Sequence, residues 1–156
     1  MKSRIGAGVV AGVVAGIVFG IIEMAFQARL TDGTIVPNLN LAARTVQASS
    51  MGAAWLWQLF GTGVAGAIFA AIFYNKIYTR RGAFIWGLLY GAIMWVISGL
   101  IITPVATHVP VGEIALSGLL GWLVYGLILG PTFRGLYRPN PVKEAVKDLG
   151  ARVGMR

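Results

Sequence analysis

The sequence predicts an all-α fold, an integral membrane four-helix bundle, and three observations carry that prediction. Of its 156 residues, 57% are hydrophobic and only 12% are charged, with a mean hydropathy of +0.77, a composition foreign to water-soluble domains. Four stretches without Asp, Glu, Lys or Arg, residues 5–22, 52–75, 82–112 and 114–133, each supply the ~20 helical residues that cross a hydrocarbon core. The basic residues are sorted by side: Lys2 and Arg4 precede the first stretch, Lys76, Arg80 and Arg81 separate the second from the third, and Arg134, Arg138, Lys143, Lys147, Arg152 and Arg156 follow the fourth. Those are eleven of thirteen, and because positive residues stay inside, both termini are expected to be cytoplasmic. The expected organisation is a transmembrane domain over residues 1–138, with spans of about 5–26, 53–75, 83–103 and 114–133, and a tail over 139–156.

Helix one reads "GAGVVAGVVAGIVFGIIEM", with glycine at every fourth position from Gly8 to Gly20 and Glu23 three residues on. Its apolar run exceeds the ~7–15 residues of a signal core, and "AFQAR" offers no small-x-small cleavage site, so a retained helix is expected. At about 100° per residue the four glycines spread over roughly 120° of one face, with Glu23 near its middle. Since lipid provides no hydrophobic drive between helices, a small-residue face reads as a close-packing surface.

The loop over residues 27–51 holds "PNLNLAARTVQASS", where Asn38 is a cap candidate for a short surface helix. Helix two brings Trp55 and Trp57 to the outer rim, and Tyr74, Tyr78, Trp86 and Tyr137 fall at the inner rim, the headgroup level that amphipathic rings favour. Trp95 and Trp122 lie deeper and read as packing residues. Helix three carries a second pair of spaced glycines, Gly87 and Gly91, and is followed by the short loop "TPVATHVPVGE". The tail "RPNPVKEAVKDLGARVGMR" reads either as a basic amphipathic helix on the cytoplasmic surface or as a solvated end. Arg80, Arg81, Lys143 and Lys147 are the expected contacts to lipid headgroups, so the formal charge of +8 is an orientation signal and no nucleic-acid partner is expected.

An internal repeat is a further expectation. "AGVVAGIVFG" and "WGLLYGAIMW" set Gly12 and Gly16 beside Gly87 and Gly91, and "WQLFG" and "WLVYG" set Trp57, Phe60 and Gly61 beside Trp122, Tyr125 and Gly126. Two helical hairpins repeated in parallel would produce that order. With these motifs, "WLWQLFGTGVAGAIFA", "GLLYGAIMWVISGLIITP" and "GWLVYGLILG", the chain resembles a loosely defined group of small bacterial four-helix membrane proteins of unknown function. The resemblance implies fold more than activity, and a multi-pass place in a prokaryotic plasma (inner) membrane. Members often carry a histidine after the tryptophan of the second helix and the glycine of the fourth. Gln58 and Trp122 stand at the matching positions here, so no metal or haem role carries over.

The chemistry is sparse. Without cysteine there is no thiolate ligand or Cys nucleophile, and His108 with Glu113 falls short of a metal ligand set. No nucleophile lies near a base, no phosphate loop is present, and neither enzyme activity nor a cofactor is expected. What remains is polar residues in apolar helices: Glu23, Gln58, Ser98 and Ser117 share a depth of roughly 7–8 Å from the outer boundary and could form one polar layer. A low dielectric favours the neutral acid there, unless Arg29 or Arg44 folds back to pair with it. The expected function is that of a non-enzymatic accessory or assembly subunit in a larger membrane complex, packed through its small-residue faces, with membrane lipids and other integral subunits as partners. The alternative is a small self-associating transporter or channel that uses the layer around Glu23.

Overall fold

A computed structural model describes residues 3–47 and 50–137. In chain order these form α1 (Arg4–Ala25), β1 (Gln27–Arg29), β2 (Ile35–Pro37), α2 (Asn38–Arg44), α3 (Met51–Phe73), α4 (Arg80–Met94), a π-helical segment (Trp95–Ile102), α5 (Thr103–Thr107) and α6 (Val111–Leu136). Four helical stretches, Arg4–Ala25, Met51–Phe73, Arg80–Thr107 and Ile114–Leu136, are long and apolar enough to cross a membrane. Hydroxyl caps start three of them: Ser3 accepts from the Gly6 N–H, Ser50 from Ala53 and Thr79 from Gly82, each satisfying a donor the first helical turn leaves open. The third stretch runs beyond the expected 83–103 because the π segment and α5 continue α4 without a break.

The closest backbone packing joins α1 to α3, α1 to α6 and α4 to α6, whereas α3 and α4 are not a closely packed pair. Small residues make the contacts possible. A Cβ at Gly8 or Gly12 would strike the carbonyl oxygens of Gly66 and Thr62, one at Gly16 the Thr62 side chain, and one at Gly20 the Trp55 ring. In the second hairpin, Gly87 lies against the Gly126 carbonyl and Gly91 against that of Trp122. Both hairpins thus place glycine against glycine, in a register different from the one the W-x-x-[FY]-G motif gives. Gly66 occupies the place equivalent to Gly126, and Gly61 is exposed with no neighbour within 4 Å of an added Cβ. The motif aligned tryptophans that do different jobs: Trp57 is exposed and Trp122 is buried against Phe19 at 4.8 Å between ring centroids.

Long aromatic side chains fill the gap between α3 and α4 over half its length. Tyr90 donates to the Ala65 carbonyl at 2.7 Å, Phe69 packs at a tilt on Tyr90 and edge-on to Phe133, and Phe73 packs at a tilt on Trp86. Residues 27–47 fold back over the opposite end, here termed the cap end. There Ala28, Leu30 and Leu41 share an apolar cluster with Val109 and Ile114. The β-hairpin in this cap was not expected; Asp32-Gly33 was its signal, with Thr34 N–H donating to Asp32 Oδ1 at 2.9 Å and Gly33 at φ +84°. The expected tail over 139–156, with Lys143 and Lys147, lies outside the described residues.

Candidate functional site

A cavity of about 70 Å³ lies beneath the cap, where α1, α2, α3, the π segment and α6 converge. Glu23 and Phe19 enter from α1, Asn38 and Leu41 from α2, Gln58 from α3, Ser98, Gly99 and Thr103 from the π segment and its end, and Ile114, Gly118 and Trp122 from α6. The volume is well above the ~10–15 Å³ a single water needs.

The π turn explains part of this convergence. In an α-helix residues five apart differ by about 140° and face different ways. Here the Thr103 N–H reaches back to the Ser98 carbonyl, and the wider turn brings both hydroxyl-bearing residues to one cavity. Trp95, at the start of the segment, ties it to α6 by donating from Nε1 to the Ala115 carbonyl at 3.0 Å.

Asn38 does not cap α2. It is the first helical residue, and its side chain turns inward, Nδ2 donating to Ser117 Oγ at 2.6 Å while Ser117 donates to the Ile114 carbonyl. Ser117 therefore holds Asn38 in place and does not itself line the cavity. Asn38 Oδ1 and Gln58 Nε2 are left without a hydrogen-bond partner although Asn38 is only 5% and Gln58 8% exposed. Buried polar atoms of this kind are uncommon, since each costs about 1–3 kcal/mol unless something, a water included, pairs with it. Glu23, half-buried at the same cavity, meets no ion-pair or hydrogen-bond partner among the described residues, and Arg44 acts on Asp32 instead.

Of the polar residues the sequence singled out, Glu23, Gln58 and Ser98 line one cavity, with Ser117 one bond behind it. Asn38 and Thr103 were missed as site residues. The Asn38 position was visible as a helix start, but nothing local marks which way its amide turns. Gly8, Gly12, Gly16, Gly20, Gly87 and Gly91 lie at contacts within the chain. Arg80 and Arg81 are exposed at the start of α4, and Arg80 shares a hollow with Arg134 at the end away from the cap. No cluster of three His, Cys, Asp or Glu able to hold a metal occurs among the described residues.

Fold and site together define a helical bundle with a small polar cavity under a folded cap at one end. Comparison with family models, with curated proteins and with solved structures found no match.

Proposed function

We propose that this chain is a non-enzymatic, multi-pass membrane protein, with both termini cytoplasmic, that binds a small polar or cationic solute at its outer end as the recognition step of a small transporter or channel. The observation that carries this reading is the pair of buried, unpartnered amide atoms, Asn38 Oδ1 and Gln58 Nε2, at one cavity with the Glu23 carboxyl. One side chain offers an acceptor, the other a donor, and Glu23 supplies a carboxyl in surroundings where it is costly to keep without a role. The test is binding and flux of ammonium and alkali cations in proteoliposomes. Glu23→Gln keeps the shape of the side chain and is expected to abolish both, and unchanged binding would remove the reading.

A second reading, the accessory or assembly subunit, keeps one specific support. Only 22% of the most apolar stretch of the third span is buried within the chain, against 39–44% for the others, so that span presents an uncovered apolar face. The glycine faces no longer argue for it, because the chain consumes them itself. Identification of whatever co-purifies in mild detergent separates the two, since an accessory subunit brings fixed partners.

A further inference from the structure

A second hollow, a cleft of about 300 Å³, opens beside the cavity between α3 and the π segment. Its lining is mainly apolar, with Phe60, Val64, Met94 and Ile102 among its walls. Gln58, Ser98, Thr103 and Trp122 line both hollows, so these four side chains form the partition between polar cavity and apolar cleft. The cleft lies where α3 and α4 are not closely packed and the bridging aromatics Tyr90, Phe69 and Trp86 fill only the half away from the cap. Gly61 keeps it open: it lines the cleft, is exposed, and nothing stands within 4 Å of the Cβ it lacks. The mouth lies on the flank of the bundle among exposed apolar side chains, Phe60 at 62% and Ile102 at 52%, which in a bilayer is the lipid side.

Resting on the membrane reading above, we infer that the solute is an amphiphile taken from the outer leaflet: a long-chain amine whose ammonium head occupies the Glu23 cavity and whose alkyl chain lies in the α3/π cleft. The head is fixed by the lining. Among the described residues that line it, Glu23 is the only ionisable one, so an anionic head would meet a carboxyl and an amide oxygen with no cation to offset them. An ammonium offers three donors, enough for Glu23 and for the unpartnered Asn38 Oδ1, while Gln58 Nε2 can turn to the second carboxylate oxygen. The chain is fixed by the neighbouring cleft, which faces lipid and would otherwise expose the partition to it.

The experiment measures saturable binding of dodecylamine, dodecyl phosphate and methylamine to the full chain in nanodiscs, with empty nanodiscs as background. Four proteins are compared: the parent, Glu23→Gln, Gly61→Leu and Gly52→Leu. Gly52 lies on the same helix, also with open space around its Cβ, but outside the cleft, so it controls for the change itself. The expected result is dodecylamine binding that is lost in Glu23→Gln and in Gly61→Leu, kept in Gly52→Leu, and not matched by dodecyl phosphate. Dodecylamine binding unchanged by Gly61→Leu would overturn the cleft assignment, and equal binding of dodecyl phosphate would overturn the head-group assignment. Methylamine binding that requires Glu23 but ignores Gly61 would keep the cavity reading while rejecting the amphiphile, and no binding of either amine would reject both.

Discussion

Two buried amides of similar kind meet different fates in this chain, and the difference locates the site. Asn38 spends Nδ2 on Ser117 and leaves Oδ1 open, whereas Gln58 leaves Nε2 open although its own backbone carbonyl is taken by Thr62 Oγ1 at 2.8 Å. An orphaned amide adds no bond between helices, so Gln58→Leu is expected to keep the stability read from detergent melts within about 1 kcal/mol of the parent, the scale of one interhelical hydrogen bond, while solute binding is lost. A loss of several kcal/mol would mean that Nε2 has a partner in the folded protein. Outside the spans, the Thr34 N–H and hydroxyl hold the Asp32 carboxyl below the usual range. A lowered folded-state value means that the hairpin turn gains from Asp32 above its ordinary titration range and loses that gain as pH falls through the lowered one. The protection of the Thr34 amide, its exchange relative to the intrinsic rate at each pH, should therefore fall in acid, and Asp32→Ala should remove that dependence. Glu23, Gln58 and Ser98 were legible in the sequence because each interrupts an apolar run. Asn38 and Thr103 were not, because polar residues near helix ends are ordinary until a fold-back and a π turn aim them inward.

At the scale of elements, small residues decide which helices touch. Gly12→Leu and Gly87→Leu would drive a side chain into the carbonyl oxygens of Thr62 and Gly126, and since backbone cannot step aside as a side-chain tip can, each is expected to cost at least the ~1–3 kcal/mol of ordinary overpacking. Val14→Leu, on the exposed side of α1, is the matching control and should be tolerated in the same detergent melts. Val13, half-buried beside Gly63, is not a fair control. Equal melting of all these variants would refute the glycine contacts. The sequence carried the glycine stripe of α1 openly, through its spacing of four. It did not carry the stripe's partner, because Gly66 belongs to no repeated motif, and the conspicuous Gly61 borders an empty cleft. Motif likeness followed residue type, while the packing register follows which backbone must come close.

For the molecule as a whole, the arrangement of ends and the distribution of charge make one joint statement. Arg4 stacks on Tyr74 with its guanidinium carbon 4.3 Å from the ring centre, which sets the start of α1 beside the turn after α3. At the cap end, Ala28, Leu30 and Leu41 cluster with Val109 and Ile114, so the segments after α1 and after α5 lie together. An up-down bundle of four helices long and apolar enough to span results, and with Lys76, Arg80, Arg81 and Arg134 at the end away from the cap, that end is the cytoplasmic one under the proposed membrane reading. Reporter fusions at residues 45, 79, 108 and 156 are accordingly expected to read outside, inside, outside and inside. The charge asymmetry also predicts how the topology could be upset: replacing Lys76, Arg80 and Arg81 together by Gln weakens the retention signal of the middle turn and should produce a mixed population at residue 79, while Arg29→Gln and Arg44→Gln should leave it unchanged. A reporter that reads outside at residue 156 in the parent chain would reverse the orientation, place the Glu23 cavity on the cytoplasmic side, and with it move the α3/π cleft to the inner leaflet.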